Sequence, residues 1–201
     1  MKYLSLSFLL LIGFNFFIWD SILTSISENE DLKIYFLDVG QGDSELIVLP
    51  GGVKILIDGG PSKEASFELG EVLSPTDRYI DVIAMTHAQK DHFGGLADVV
   101  SRYQVGAFVW NGEGALSDEW LEFEKILLEH DIPTVVLGVG DRIINNEEEV
   151  IVLAPNKDLI KESNANEGSL VLKLKSEDVS ALFTGDISIE TENKILEGQD
   201  L

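Results

Sequence analysis

The sequence predicts an α/β (α+β) fold on two grounds. Short apolar runs bounded by Gly, Pro, Asp or Asn recur along the chain, and segments with helical spacing of apolar residues fall between them. The 201 residues are 45% hydrophobic and 25% charged, a globular balance long enough for one sizeable core. Residues 32–37 (LKIYFL) form the first expected strand. Residues 45–49 and 53–57 flank Pro50-Gly51-Gly52 and read as a hairpin. Residues 64–73 place Phe67, Leu69, Val72 and Leu73 at helical spacing, and residues 80–85 form a buried strand. Leu96, Val99, Val100 and Tyr103 make one stripe of a helix, and 105–110 is a strand. Ser117 is the expected N-cap of a helix carrying Leu121, Ile126, Leu127 and Leu128, which ends before Pro133. Strands follow at 134–137, 142–144, 150–153, 169–174 and 179–183, then a helix over 187–196. Glu147-Glu148-Glu149 reads as a solvated turn.

Formal net charge is −22, from 36 acidic and 14 basic residues. No strong basic patch for nucleic acid is present, which argues against a sequence-independent nucleic-acid binder. An enzyme that cleaves nucleic acid is still compatible, because a bound metal neutralises phosphate locally. The lack of cysteine excludes disulfides and thiolate ligands.

The first 28 residues stand apart. From Leu4 to Trp19 only Ser5, Ser7, Gly13 and Asn15 interrupt an apolar run, with Lys2 before it and Glu28, Glu30 and Asp31 after it. Such a run is near the lower limit of the roughly 17–25 residues that span a bilayer. The flanking charges predict a single-pass anchor over residues 4–19 with the remainder, residues 29–201, extracytoplasmic. The alternative is a secretory signal cleaved near Ser25-Ile26-Ser27, leaving a secreted domain.

Chemistry concentrates where strands run out. Two of the three histidines lie in Thr86-His87-Ala88-Gln89-Lys90-Asp91-His92-Phe93-Gly94-Gly95, a loop after an apolar strand. Imidazole and carboxylate this close suit a divalent metal. Asp38 and Asp43-Ser44, then Asp58-Gly59-Gly60, then Gly185-Asp186 repeat the pattern of an apolar strand ending in Asp beside Gly. Any one of these is more simply a turn, but strand ends converging on one rim of a sheet form a ligand site.

These residues carry a resemblance. Asp58-Gly59-Gly60, the His87–His92 motif and Phe183-Thr184-Gly185-Asp186 resemble the metallo-β-lactamase fold in order and spacing. Asp38-Val39-Gly40-Gln41-Gly42-Asp43-Ser44 and Asn166-Glu167-Gly168-Ser169-Leu170-Val171-Leu172 are similar to the hydrolase-like domain of ComEC-type DNA-uptake (competence) proteins. The resemblance runs from about residue 32 to the C-terminus. It implies a four-layer αββα sandwich and a metal-dependent hydrolase, zinc or manganese, with one or two ions. It further implies a nucleic-acid or other phosphodiester substrate. Against the family pattern His-x-(His or Asp)-x-Asp-His, His87, Asp91 and His92 match, while Gln89 occupies the second ligand position. Asp186 matches the bridging aspartate, and Asp58 the aspartate that orients the motif loop. Asn164 or Asn166 lies where relatives replace a third histidine. The metal set implied is His87, Asp91, His92 and Asp186, with Asp91 alternatively the general base. Asp38, Asp43, Ser44, Asp58, Gln89 and Asn166 fall around it. Ser44 as a nucleophile is disfavoured, because His130 is the one histidine left to serve it. His130 itself reads as a cation at a helix C-terminus, and Lys90 as a solvated loop lysine.

The family's last His-rich motif is missing before Leu201, so the fold is expected to be C-terminally incomplete. Three functions compete on this reading: a membrane-anchored hydrolase, a catalytically degenerate binding module on the same fold, and a truncated reading frame.

Overall fold

The computed structural model describes residues 11–19, 31–156, 165–177 and 179–198. Two sheets carry the fold. The first has six strands in sequence order, β1 (Lys33–Phe36), β2 (Glu45–Val48), β3 (Lys54–Ile57), β4 (Tyr79–Ala84), β5 (Gln104–Trp110) and β6 (Thr134–Val136). β1, β2 and β3 pair antiparallel, and β3 to β6 pair parallel. β1, β3, β4, β5 and β6 therefore all run the same way, and their C-terminal ends share one rim. The second sheet has the order β10-β9-β8-β7, all antiparallel, built from β7 (Arg142–Asn145), β8 (Glu148–Ala154), β9 (Val171–Lys175) and β10 (Ser180–Phe183).

Alternation along the strands sorts side chains into layers. Ile47, Leu49, Ile55, Ile57, Ala84 and Val109 of the first sheet pack on Val150, Val152, Leu172, Leu174 and Phe183 of the second. On the far side of the first sheet, Leu46, Leu56, Ile83 and Phe108 meet three helices: α1 (Glu64–Val72), α3 (Leu96–Arg102) and α4 (Asp118–Glu129). Their anchors are Ala65 and Leu69, then Leu96, Val99 and Val100, then Trp120, Phe123 and Leu127. On the outer face of the second sheet, Leu153 and Val171 receive Ile195 of α5 (Ile189–Gly198). The order is thus helices, sheet, sheet, helix. Each fully buried aliphatic side chain contributes roughly 1.5–3 kcal/mol, so both sheets are held from both faces.

Expected and observed elements agree closely, and Ser117 Oγ accepts the Trp120 amide at 3.1 Å as the N-cap of α4. Two local readings are corrected. Glu148 and Glu149 belong to β8, and Glu148 is buried. Asn146 adopts φ 54°, so Asn146-Glu147 alone turns the hairpin and β8 starts one residue later. The histidine segment is also not an open loop throughout. Lys90–Phe93 forms a single helical turn, α2, which carries Asp91 and His92.

Residues 11–19 are helical and exposed, while residues 4–10 of the expected anchor lie outside the described residues. Among the described residues, no helix is long and apolar enough to cross a membrane.

Candidate metal centre

The site forms where β3, β4 and β10 end. Asp58 follows β3 and is fully buried, with its backbone at φ 55°. A non-glycine residue in that region is held there only by strong local contacts, and Asp58 has them. Its Oδ1 accepts the Thr86 amide at 2.7 Å. Its Oδ2 accepts the Thr86 hydroxyl at 2.6 Å and faces His92 Nδ1 at 2.8 Å. Ser44 Oγ donates to the Asp58 carbonyl at 3.0 Å, so that hydroxyl braces the β3 end instead of serving as a nucleophile. The Gly59 amide donates to the His92 carbonyl at 2.6 Å, and the Gly60 amide to the Asp43 carbonyl at 2.9 Å. One buried carboxylate thus ties the end of β3 to the end of β4 and to the turn α2 that carries His92.

These bonds fix the ring tautomers. The Thr86 hydroxyl has one proton, and it goes to Asp58. His87 Nδ1, 3.0 Å from the same oxygen, must therefore be the donor in that contact. His92 Nδ1 donates to Asp58. Both rings are left presenting Nε2, and both Nε2 atoms are buried with no hydrogen-bond partner among the described residues. The rings lie 4.1 Å apart between centroids. Asp186, at the end of β10, brings Oδ2 to 3.6 Å from His92 Nε2. One ligand atom from each of His87, His92 and Asp186 falls within 4.8 Å of the other two. Two orphaned imidazole nitrogens facing a carboxylate fit a divalent cation, since a buried polar atom without a partner is otherwise costly. Three protein ligands leave a coordination position open.

Electrostatics separate the two imidazoles. Burial, then the charge of His92, lowers His87 from its ordinary 6.5 to about 4, against the pull of Asp186 and Asp91. Burial also works to lower His92. The hydrogen bond and charge of Asp58, with Asp186 and Asp43, outweigh it and raise His92 to about 9. Burial pushes the Asp58 carboxyl up, and its bonds to His92 and Thr86 pull it back. Glu45, at the start of β2, rises from 4.5 to about 8 through burial and then the charges of Asp58 and Asp43.

The remaining residues singled out in the sequence take different places. Asp91 is outside the three-residue group but close enough to act on His87 electrostatically. Its backbone packs on Gly42, where φ is 90° and any Cβ would collide with the Asp91 carbonyl. Gln89 Nε2 donates to Asn166 Oδ1, so the amide in the second ligand position is engaged across the rim. Asn164 lies outside the described residues. Asp38 is exposed on the same rim. Asp43 contributes its carbonyl and its charge. Lys90 pairs with Glu119 at 3.2 Å on the surface. His130 is the C-cap of α4.

Two residues that matter here were missed from sequence. Asn111 is buried at the end of β5. Its Nδ2 donates to the Gly168 carbonyl at 2.7 Å, and its Oδ1 accepts the Glu113 amide at 2.9 Å. It thereby anchors the 3-10 turn Asn166–Gly168 that faces Gln89. The signal was available, because Trp110-Asn111-Gly112 repeats the strand-polar-glycine pattern. Glu45 carried no such signal, since it reads as an ordinary polar position in an alternating strand.

The sequence profile of the Metallo-beta-lactamase superfamily matches residues 37–199. ComE operon protein 3 of Bacillus subtilis (strain 168) is 28% identical over 184 residues, covering 82% of this chain and 23% of that protein. The chain thus spans about a quarter of the length of this curated relative. Among solved structures, CmlA, a diiron beta-hydroxylase from Streptomyces venezuelae, superposes with a TM-score of 0.54 at 19% identity, covering 85% of this chain and 33% of that one. The metallo-beta-lactamase fold protein YhfI from Bacillus subtilis gives 0.52 at 12% identity, covering 77% of this chain and 63% of its own. At these identities the structural likenesses establish the fold.

Proposed function

The chain belongs to the metallo-beta-lactamase superfamily, and on that premise we propose that it is a metal-dependent hydrolase of phosphodiesters, nuclease-like in its chemistry. Its domain is related to the ComE operon protein. The observation that carries the proposal is the pair of buried, unpartnered Nε2 atoms of His87 and His92 beside the Asp186 carboxylate. These three residues would hold one divalent cation, zinc or manganese. When bound, the ion supplies Lewis acidity and a water acidic enough to lose its proton near neutral pH. Asp58 fixes the orientation of His92 and strengthens its basicity as a ligand. Thr86 does the same for the tautomer of His87. Asp186 is 42% exposed, so the site opens to solvent on that side. Asp91, whose charge acts on His87, would be the base that takes a proton from the attacking water. The resemblance to DNA-uptake hydrolase-like domains supports a nucleic-acid phosphodiester as substrate. The apolar run 4–19, helical and exposed over 11–19, supports a membrane anchor with the domain extracytoplasmic.

A second reading is a non-catalytic binding module on the same fold. It is favoured by Gln89, a neutral amide in the second ligand position of the family motif, which is engaged by Asn166 and is a poor ligand for a transition metal. One experiment separates the two. Chelator-stripped protein, reloaded with zinc or manganese, is assayed against bis(p-nitrophenyl) phosphate and single-stranded DNA. Metal-restored cleavage that disappears in His92→Ala supports the hydrolase. Stoichiometric metal without cleavage supports the binding module.

A further inference from the structure

At the opposite rim of the first sheet, where β4 and β5 begin, lies a cleft of about 830 Å³ lined by Arg78, Arg102, Ser101, Tyr103, Tyr79 and His130. Such a volume suits a small ligand. Along β4 the two rims are roughly 20 Å apart at about 3.3 Å per residue, so the cleft is separate from the metal centre. We propose that it is a binding site for a small phosphorylated ligand, recognised through its phosphate oxyanion.

Three observations carry this. The chain has three arginines against 36 acidic residues, and two of the three line this cleft. In so acidic a protein an arginine finds a carboxylate easily, as Arg142 does with Glu149 at 2.7 Å. Arg78 and Arg102 have no carboxylate partner among the described residues. They lie instead over aromatic rings, Arg78 at 5.3 Å from the Tyr103 centroid and Arg102 at 4.7 Å from that of Phe67. This contact holds a guanidinium while leaving its forked donors free, and those donors match phosphate geometry. Asp77, a carboxylate that also lines the cleft, is taken by Lys54 at 3.2 Å. Finally, Tyr103 is a fixed platform for Arg78, since it lines the cleft yet is 3% exposed and packs in the helix-facing core. Tyr79, 44% exposed in the same lining, supplies an aromatic surface for a ring attached to the phosphate.

The test is calorimetric titration of the purified, chelator-treated full chain with inorganic pyrophosphate, and separately with a dinucleotide. Chelation removes any metal at the other rim, so the result is independent of the hydrolase proposal. Saturable 1:1 binding is expected. It should weaken roughly tenfold or more in R78Q/R102Q, as for lost charge-assisted bonds, and be unchanged in R142Q. R78K/R102K should fall between, since charge without the fork is retained. A tighter dinucleotide than pyrophosphate identifies a nucleotide ligand, and equal affinities identify the phosphate group alone. Equal binding by wild type and a folded R78Q/R102Q overturns the proposal, as does equal weakening by R142Q.

Discussion

The two rims of the first sheet solve opposite problems. At the carboxyl-end rim, Asp58, Thr86, His87, His92 and Asn111 are buried and each is oriented by another, while Asp186 closes the group from the solvent side. Asp58 is bonded to Thr86 and His92, Thr86 to His87, and Asn111 to the turn carrying Asn166. At the amino-end rim, Arg78 and Arg102 are exposed and rest on aromatic faces. The first arrangement sets geometry before any ligand arrives. The second keeps charge available and leaves the final geometry to the ligand. Substitutions at the two rims should therefore have very different consequences.

The largest effect is expected at Asp58. Asp58→Ala removes the carboxylate that holds the His92 proton and leaves His92 Nδ1 and the Thr86 amide buried without their acceptor, and breaking this buried pair costs about 3–5 kcal/mol. Urea unfolding of the metal-free domain measures it. Asp58→Asn keeps the shape and removes the charge, and metal affinity should drop about 10–100-fold. Gly185→Ala comes next. Gly185 sits at φ 52°, and an added Cβ would lie 3.1 Å from Thr86 Cβ, so strain of roughly 1–3 kcal/mol falls between Asp186 and Thr86. Its melting temperature should drop and its metal affinity should weaken together.

The pH dependence of the metal-free protein sharpens the contrast further. His92 is raised from 6.5 to about 9, so its stabilisation is complete below 6.5 and is lost as pH rises through 9. Glu45, raised from 4.5 to about 8, adds in the same direction, because the folded state resists its ionisation above 4.5. His87, lowered to about 4, gives the opposite limb: the unfolded chain takes up its proton first as pH falls below 6.5. Thermal melts should therefore show lower stability at pH 9 than at pH 6.5. Divalent metal should bind more tightly as pH rises over that window, because the ion displaces the His92 proton. The smallest effect is expected at the other rim, where R78Q/R102Q should change unfolding free energy by no more than about 0.5 kcal/mol, as for exposed residues.

The fold and much of the centre were legible before any coordinates. Strand periodicity located β1 to β10 because both sheets are covered on both faces, giving strong apolar runs such as Leu170-Val171-Leu172. Strand-end aspartates beside glycine pointed to Asp58 and Asp186, and two histidines in one short segment after a strand pointed to His87 and His92. What stayed hidden depends on contacts across long sequence separations. That Thr86 fixes the His87 tautomer needs Asp58, 28 residues away, to take its hydroxyl proton. Asn111 acts on Gly168 from 57 residues away. Glu45 owes its raised pKa to burial and to Asp58, neither of which alternation in a strand reveals. The reach of α2 over Asp91 and His92 was missed because a four-residue helix has too little periodicity to detect. The arginine cleft was hidden for a similar reason. Arg78 and Arg102 look like ordinary surface charges until the parallel pairing of β4 with β5 puts Tyr79 beside Gln104.

The most direct test of the metal centre is anomalous diffraction from crystals of the protein grown with zinc, recorded at the zinc edge. A single strong peak within bonding distance of His87 Nε2, His92 Nε2 and the Asp186 carboxylate is the predicted result, with the peak absent in His92→Ala crystals. Wild-type crystals with no density there, or with zinc only on surface carboxylates, would contradict the assignment.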